Sequence, residues 1–486
     1  MMADLRVFEL FSGLGLSEQR RLNEISEYWD FYLGDQWRVV REEGESLITF
    51  NYAKAIVDKS VSFLFGKGFR IQPHKEVAQE LKPLLDEVWE YNKKDILGVE
   101  MGQMGAITGD CFIKVSWEDP EVDENGMLYE EEYPDGKVRI NVLPTSSVFP
   151  VYSSHDKDKM VSCTIQYAIL EMGIDGKPVA RMYKEVVTRD TISYYIDNEL
   201  VEEIPNILRE INIVQIKNIP LAGESRGQSD LKSIIPLQKE LNAKVTDVSD
   251  IINYHSAPIT IIQGAKSKNL EKGAKKVWGG LPKDAKVYNL ELNSDLNASN
   301  NFISTIKTAI HELSNTPEDS LGGKSAVSNT TGVALQIKYA PLLEKTWLKR
   351  QTYGGGIKDV CRLIIKLLRV KGSDEERKLL NDLMSTSEGI KKVFDITVTF
   401  PDPLPKDEMV QLQIIAQKMN LGLEEPEGAL KELGYEGDIQ EKLEKIRKYQ
   451  KEQQNLMFDL AGAEDIDIAG IQSQFDADIG DNDLEE

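Results

Sequence analysis

The chain has 486 residues, of which 41% are hydrophobic and 29% are charged, as in ordinary globular proteins and unlike disordered or fibrous chains. This length exceeds what one hydrophobic core usually organises, so two or more packed modules are expected. The formal net charge of -23, from 58 Lys and Arg against 81 Asp and Glu, argues against a tight nucleic-acid binder, because affinity for phosphate comes from basic side chains that displace counterions. A surface along which DNA slides without being held stays compatible with this charge.

The cysteines and the start of the chain argue against other classes. The three cysteines are far apart and lack a CxxC pair, so neither a disulfide framework nor a zinc cluster is expected, and all three are predicted to be reduced core residues. The first residues include Asp4 and Glu9 and no basic stretch, which does not fit a signal peptide. No apolar run approaches about 18 residues, so no membrane span is expected and folding in a cytoplasm is predicted.

The first half of the chain has helical patterns followed by strand patterns. In order, the predicted elements are a helix from the N-cap Ser17 to Gly34, a helix over 51–64, a strand over 69–71, two helices between 75 and 108, and a strand over 111–117. Alternating β-branched and aromatic residues then dominate to about residue 217, with turn signals between them. These patterns predict an α+β fold with an antiparallel sheet.

A long helix and a lysine-rich insert follow. Ser229 and Asp230 can each cap a helix that runs to Tyr254, with Pro236 in its first turn. Residues 257–292 form a compact insert with a strand at each end, and its lysines could contact phosphate, dock an acidic partner or simply form a solvated helix face. Base-specific recognition is not expected, because arginine forks are absent. The lysines are Lys266, Lys268, Lys272, Lys275, Lys276, Lys283 and Lys286.

The last third is predicted to be mainly helical. A helix over 301–314 breaks at Thr316-Pro317 into a polar loop, and a long helix resumes near Gly332. That helix is expected to be interrupted at Pro341 and at the three glycines 354–356. A strand, a turn with Pro405 near a helix start, and two or three helices follow to about Gln453. The remainder is rich in Asp and Glu without Lys or Arg, which predicts a disordered acidic tail.

Two short motifs imitate enzyme sites in the wrong context. Residues 321–325 end like a phosphate-binding loop, but Glu318 stands where the pattern needs glycine, and no strand precedes it. Residues 223–227 fit Gly-x-Ser-x-Gly around Ser225, with His255 and His311 downstream, but five residues separate the motif from its strand. A nucleotide-hydrolysing site at Lys324-Ser325 and a hydrolase at Ser225 are therefore rival hypotheses only.

No cofactor or metal is predicted either. The glycines at 354–356 lie inside a helical pattern, which does not fit a dinucleotide site. None of the four histidines is paired at ligand spacing with another histidine or a cysteine. Runs of carboxylates such as Glu130-Glu131-Glu132 are typical of solvated faces. The chain is predicted not to be an enzyme.

Several segments, taken in order, resemble the portal proteins of long-tailed double-stranded DNA phages, particularly those of Gram-positive hosts. The segments, which span residues 28 to about 449, are YWDFYLGDQW, NYAKAIVDKSVSFLFGKGFRI, GDCFIKV, GQSDLKSIIPLQKELN, SNTTGVAL and VTFPDPLPKDE. The resemblance implies a mainly helical α+β portal fold that assembles into a ring, typically of twelve subunits, around a channel at one vertex of the capsid. It also gives residues 223–227 the role of a turn before the long helix.

The resemblance also implies a division into parts. These are a wing over 1–227, stem helices over 228–254 and 301–316, a clip over 255–300, a tunnel loop over 317–331, a kinked helix returning to the wing over 332–400, a crown over 401–455 and the acidic tail over 456–486. The implied DNA contacts lie in the tunnel loop, at Ser320, Gly322, Gly323, Lys324, Ser325, Ser328, Asn329, Thr330 and Thr331. The clip lysines named above would dock partners. Gly322, Gly323 and Lys324 depart from the family pattern.

The implied function is a conduit for DNA packaging and ejection in the virion, assembled in the host cytoplasm. The implied partners are further copies of the chain, the terminase motor, a head-tail adaptor, the scaffold and major capsid protein, and double-stranded DNA that passes without sequence recognition. No membrane partner is implied. The alternative from the same class of structures is another head-tail connector or adaptor. That alternative does not account for the succession of long helix, insert, helix and polar loop.

Overall fold

The structure, a computed structural model, describes residues 15–37, 47–120, 133–172, 178–256, 260–263, 284, 286–289, 296–321, 332–404, 408–433, 435 and 439–461. The chain divides into two compact units, Met1–Pro403 and Leu404–Glu486. In the first unit the helices are α1 (Leu16–Leu33), α2 (Tyr52–Phe65), α3 (Ala78–Tyr91), α4 (Lys94–Thr108), α5 (Ile235–Ser256), α6 (Leu296–Leu313), α7 (Gly332–Lys371), α8 (Asp374–Leu383) and α9 (Ser387–Phe394).

The strands of the first unit complete a mixed α+β fold, as predicted. They are β1 (Arg70–Pro73), β2 (Asp110–Glu118), β3 (Lys137–Leu143), β4 (Val148–Tyr152), β5 (Met160–Met172), β6 (Pro178–Thr188), β7 (Thr191–Ile196), β8 (Glu199–Pro205), β9 (Ile213–Lys217), β10 (Thr260–Gln263), β11 (Lys286–Asn289) and β12 (Ile396–Thr399). Of the described residues, every strand pair is antiparallel.

The strands form two main sheets and two pairs. Strand β2 lies between β3 and β9, while β4 to β8 form a five-stranded meander in chain order. The predicted strand near residue 396 pairs with β1, so that Ile71 lies opposite Val398. This pairing joins segments more than three hundred residues apart, which local sequence patterns do not reveal.

The first two helices illustrate how the local sequence sets helix ends. Helix α1 begins after Gly15, whose extended backbone serves as the N-cap without a side-chain bond. The prediction that Ser17 caps this helix is therefore wrong, because Ser17 already lies within its first turn. The predicted stop is confirmed, since Gly34 takes the left-handed conformation with φ of 88°. Helix α2 starts as predicted, because the Asn51 side chain accepts a hydrogen bond from the Lys54 amide at 3.0 Å.

The main hydrophobic core lies between α7 and the three-stranded sheet. Tyr353, Ile357 and Ile364 recur along one face of α7 and are fully buried, in the same cluster as Ile113 and Ile216 of the sheet. Each such side chain contributes about 1.5–3 kcal/mol by leaving water. This packing stabilises the long helix far more than its intrinsic propensity does.

Helix α7 runs without a break through Pro341 and through the glycines at 354–356. The predicted interruption is therefore wrong. Proline removes one backbone bond to the residue four positions earlier, and that residue, Ile337, is exposed and within reach of water. Gly356 is needed for packing, because a Cβ there would lie 2.3 Å from Ile216 Cγ1. Burial of this turn against the sheet offsets the low helix propensity of glycine, about 1 kcal/mol per residue.

Burial keeps the three cysteines protonated. Cys111, Cys163 and Cys361 are all buried and free, as predicted. Burial raises the pKa of Cys163 and of Cys361 to about 12 and raises the pKa of Cys111 further. The thiolate forms, which are the reactive ones, are therefore not populated near neutral pH.

The second unit contains α10 (Glu408–Asn420), α11 (Pro426–Glu432) and α12 (Ile439–Ala461). Pro426 occupies the first turn of α11, where its missing amide hydrogen is tolerated. Lys418 of α10 pairs with Glu432 of α11 at 2.7 Å. The described helices agree with the prediction of two or three, but α12 continues to Ala461, so the acidic tail cannot begin at residue 456. Pro405 and residues 462–486 lie outside the described residues. None of the helices that the structure describes is both long and apolar enough for a bilayer crossing.

Two neighbouring glycines of α7 predict opposite stability changes. Gly356→Ala is expected to destabilise the fold by about 1–3 kcal/mol, because the new methyl group overpacks against Ile216. Gly355→Ala is the matched control, since no atom lies within 4 Å of its Cβ position. It is expected to stabilise the dissociated subunit by about 0.5–1 kcal/mol. Urea unfolding of both variants measures the difference, and equal effects at the two positions would contradict the packing.

Candidate functional site

A pair of helices, α5 and α6, carries the insert at one end and leads into the polar loop at the other. Leu241 in the first half of α5 packs with Ile306 and Ile310 in the second half of α6, as in an antiparallel pair. Strands β10 and β11 pair between the two helices, with Gln263 opposite Lys286. The predicted strands of the insert are thus confirmed. The chain leaves the core along α5 and returns along α6.

Of the seven lysines of the insert that are predicted to dock a partner, the structure describes only Lys286. Lys286 is exposed and lies in β11. The other predicted docking residues, Lys266, Lys268, Lys272, Lys275, Lys276 and Lys283, lie outside the described residues.

Helix α6 ends in a well-defined turn that fixes the direction of the chain towards the loop. Asn315 has a left-handed backbone with φ of 53°. The Thr316 amide donates to the His311 carbonyl at 3.1 Å, and the Asn315 amide donates to Glu312 at 3.2 Å, which together form a Schellman motif. The buried His311 ring adds a bond between Nδ1 and the Thr316 carbonyl at 2.9 Å and an edge contact with Tyr52. His311 is therefore a structural residue of this turn.

The base of the loop is a short 3-10 turn, Glu318–Leu321, held from two sides. Glu318 pairs with Lys307 of α6, and this hydrogen bond lowers the pKa of the Glu318 carboxyl. Asp319 pairs with Lys338 of α7 at 3.0 Å. The two acidic side chains thus connect the end of α6 to the start of α7. Exposed pairs of this kind contribute little stability individually, but here they hold the turn Glu318–Leu321 between α6 and α7.

Ser320 belongs to this base. Only 5% of its surface is exposed, and its hydroxyl donates to the Pro317 carbonyl at 2.6 Å. In the subunit, the Ser320 side chain is thus buried and bonded within the chain, and its predicted contact with DNA stays a prediction. The remaining predicted loop residues, Gly322, Gly323, Lys324, Ser325, Ser328, Asn329, Thr330 and Thr331, lie outside the described residues.

A buried ionic cluster lies behind the loop base. The Asp230 carboxylate accepts a hydrogen bond from Lys349 Nζ at 2.6 Å and lies 3.3 Å from Lys345 Nζ. Asn218 Nδ2 donates to the other carboxylate oxygen at 3.0 Å. Lys349 also donates to Ser60 of α2 at 2.9 Å. The carboxylate side chain is fully buried, so each of its oxygens needs these partners.

Lys345 connects the cluster to the loop. Its ammonium group donates to the backbone carbonyl of Ser314, at the end of α6, at 3.0 Å. We refer to Asp230, Lys345 and Lys349 as the Asp230 cluster. It joins α2, the entry to α5, the end of α6 and the middle of α7. No other group of described residues connects the helix pair, the loop base and the long helix through buried charges.

The charges in the Asp230 cluster are unequal, with two ammonium groups around one carboxylate. Burial alone would raise the pKa of Asp230, but Lys345, Lys349 and the hydrogen bonds from Lys349 and Asn218 outweigh it and lower the pKa. Burial also lowers the pKa of Lys349 to about 8, although Asp230 favours its charged form. Because the pKa of Asp230 is depressed on folding, its contribution to stability is present above the unfolded-state pKa and is lost as the pH falls in acid.

The Gly-x-Ser-x-Gly motif has a structural role in the fold. The Ser225 carbonyl accepts a hydrogen bond from Gln215 of β9 at 3.0 Å. The Gly227 amide donates to Asp110 at 3.0 Å, and Arg226 lies 3.6 Å from Glu18 of α1. The motif therefore fastens a turn onto β2, β9 and α1. Within the described residues, no group of three His, Cys, Asp or Glu side chains is arranged to hold a metal ion.

The sequence pattern does not reveal the Asp230 cluster, because it predicts only that Asp230 could cap a helix. In the structure Ser229 provides the local bond, since its hydroxyl accepts from the Leu231 amide at 3.0 Å. The signal for the cluster was the position of two lysines on the core face of α7. Lys345 and Lys349 are in helical register with the buried residues Leu342 and Tyr353, where a lysine needs a buried partner.

Two substitutions compare the loss of the central carboxylate charge of the Asp230 cluster with the loss of one of its two ammonium groups. Asp230→Asn keeps the shape but leaves two buried ammonium groups without a counter-charge, which is expected to cost about 3–5 kcal/mol. Lys345→Met removes the donor to the Ser314 carbonyl and one of the two ion-pair partners of Asp230, but it leaves the one-to-one pair of Asp230 with Lys349, so the expected cost is about 1–2 kcal/mol. Denaturant unfolding at neutral pH measures both. A greater loss in Lys345→Met than in Asp230→Asn would contradict the assignment of Asp230 as the centre.

Comparison with known proteins places this arrangement in a family. The family model described as phage portal protein, SPP1 Gp6-like, matches residues 17–456. No curated protein sequence matches the chain. The family match spans both compact units and includes the helix pair, the loop and the Asp230 cluster. The chain belongs to the phage portal protein family, and its function is that of a phage portal protein in the virion and in DNA packaging.

Proposed function

We propose that this chain is the subunit of a closed ring at one vertex of the capsid, through which double-stranded DNA enters during packaging and leaves during ejection. The family membership over residues 17–456 is the observation that carries this proposal. A ring of twelve subunits is the number typical of the family. The terminase motor, a head-tail adaptor and the scaffold or major capsid protein would bind the ring, which assembles in the host cytoplasm.

Each part of the chain has a proposed place in the ring. The parts are the wing over 1–227, stem helices over 228–254 and 301–316, the clip over 255–300, the tunnel loop over 317–331, the long helix and return to the wing over 332–400, the crown over 401–455 and an acidic tail that starts after α12. The packing of α5 on α6 through Leu241 and Ile306 supports a paired stem. The β10–β11 pair between these helices supports a separate clip.

The loop between α6 and α7 is the proposed contact with DNA. Its base is fixed by the Schellman turn at Asn315 and by the pairs of Glu318 with Lys307 and of Asp319 with Lys338. A loop on a rigid base presents its central residues at a defined position. The residues from Gly322 to Thr331 would then contact the DNA, with Lys324 as their positive charge.

The overall charge fits a conduit in which DNA is not held. A net charge of -23 gives the ring a field that repels phosphate. Each lysine or arginine bound to phosphate would instead strengthen the contact and slow sliding. Lys324 would provide a weak contact within a channel that otherwise repels DNA.

The portal family is structural, and we propose that the ATP-driven work of packaging belongs to the separate terminase. The role of residues 223–227 as a packed turn supports this, since the Ser225 carbonyl is bonded to Gln215. Glu318, which precedes the phosphate-loop-like residues, is paired with Lys307 and would repel a nucleotide phosphate.

The loop charge can be tested in packaging reactions. Lys324→Glu is expected to leave ring assembly intact and to lower the amount of DNA packaged per head several-fold, because it replaces the positive contact by repulsion. Lys324→Arg is the matched control and is expected to package as the unchanged chain does. Quantitative PCR of nuclease-protected DNA provides the measurement. Normal packaging by Lys324→Glu would contradict DNA contact at this loop, and failure of the unchanged chain to form rings would contradict the proposed function.

The lysines of the insert can be tested separately. Replacing Lys272, Lys275 and Lys276 by Gln is expected to weaken binding of the terminase or the adaptor at least tenfold, because charge complementarity to an acidic partner is lost. Rings should still form. Binding by surface plasmon resonance, with ring integrity checked by electron microscopy, gives both readouts. Unchanged binding or loss of the rings would exclude a docking role.

A further inference from the structure

The outer face of α7 carries a line of exposed residues, among whose large hydrophobic side chains Leu348 is the least exposed, at 37%. Its exposed residues alternate at intervals of four and three positions, and they are Ile337, Pro341, Glu344, Leu348, Gln351 and Gly355. Trp347 lies beside this line. We call these residues the outer stripe of α7. The spacing is the one by which a helix packs along a second helix.

The outer stripe exposes unusually large apolar side chains. Ile337 is 71% exposed and Trp347 is 64% exposed. Trp347 is the more informative of the two, because a tryptophan that makes little contact within its own chain is typical of an anchor in a protein interface. Exposed apolar surface of this kind, when its members lie along one face, marks a contact with another molecule.

Gly355 supplies an independent observation. Gly356 is explained by packing within the chain, because a Cβ there would lie 2.3 Å from Ile216 Cγ1, whereas a Cβ at the buried Gly354 would make only an ordinary contact at 3.5 Å from Phe400. A Cβ at Gly355 would meet no atom within 4 Å. Glycine is unfavourable in the middle of a helix, and nothing in the described fold requires it here. A glycine at such a site fits the close approach of a backbone from outside the subunit.

We propose that the outer stripe of α7 packs against a second copy of this chain, with Trp347 as an anchor and the neighbouring backbone close to Gly355. The inference rests on the proposed ring, in which every copy contacts two neighbours, and it names one of the surfaces that make that contact. DNA is a poor occupant, because the stripe contains Glu344 and no Lys or Arg.

The contact must be heterologous if it builds a ring. An isologous contact, in which the stripe binds the same stripe of another copy, closes after two subunits. A heterologous contact, in which the stripe binds a different surface of the next copy, continues until the ring closes. A subunit with a blocked stripe would then still offer its other surface and would end a growing assembly.

The first test changes the stripe without harming the subunit. Gly355→Leu is expected to keep the fold and to have a thermal midpoint at least equal to that of the unchanged chain when dissociated, since the Cβ position is open and leucine favours helices. Its fraction of rings at equal concentration is expected to fall at least about tenfold. Trp347→Ala should lower the ring fraction in the same direction. Lys378→Leu, which adds an exposed leucine to α8 outside the stripe, is the matched control and should assemble normally.

The second test distinguishes the type of contact. Gly355→Leu chains are mixed in equal amounts with unchanged chains. The yield of rings is expected to fall below that of unchanged chains diluted twofold, because blocked subunits terminate assembly. Sedimentation velocity measures the species formed. A yield equal to that of simple dilution would overturn the heterologous contact.

The outcomes separate this inference from the proposed function. Rings formed normally by both folded Gly355→Leu and Trp347→Ala would overturn the inference while leaving the ring in place. If Gly355→Leu fails to fold, the exposed Trp347→Ala decides alone. If the unchanged chain forms no rings under any condition, the proposed function itself fails.

Discussion

The Asp230 cluster is the interaction on which the other parts of the first unit depend. One buried carboxylate is held by Lys345 and Lys349 of the long helix, and these lysines reach Ser314 at the end of α6 and Ser60 of α2. A buried charge is tolerated only when its partners are in place. The positions of the helix pair and of α7 are therefore coupled, because moving one of them would leave a buried charge without its counterpart.

This coupling gives the loop between α6 and α7 a rigid support. The loop leaves α6 at the Schellman turn, within one residue of the Ser314 carbonyl that Lys345 binds. It is then held by Lys307 and Lys338 through the acidic residues of its first turn. The buried interaction sets the geometry of the end of α6 and of α7, and the exposed pairs hold the short turn Glu318–Leu321 between them.

Much of the fold could be predicted from the sequence, since it depends on local periodicity and turn chemistry. Helix α2, the strand near Cys111, the antiparallel sheet and the two strands of the insert were predicted and are confirmed. The pairing of β1 with β12 was not predicted, because register between distant strands leaves no local signal. The interruption of α7 at its glycines was predicted wrongly. Burial against Ile216 overrides the low helix propensity of these residues.

The candidate site was less accessible to sequence reasoning. The polar loop and the lysine insert stood out in the sequence by composition. The Asp230 cluster behind the loop base did not, because Asp230 and Lys349 are more than one hundred positions apart. Ser320 shows the same limit, because the family resemblance implies a contact residue there while the fold buries its side chain. Composition draws attention to unusual segments, whereas buried polar partners become visible only when the fold brings them together.

We propose that the chain forms a ring whose channel is lined by α5, α6 and the loop that follows. Cryo-electron microscopy of the purified, assembled protein tests it most directly. We expect a closed ring with an open axial channel, the α5–α6 pair around that channel and residues 322–331 at its narrowest point. An assembly without a channel, or a channel lined by the five-stranded sheet, would contradict it.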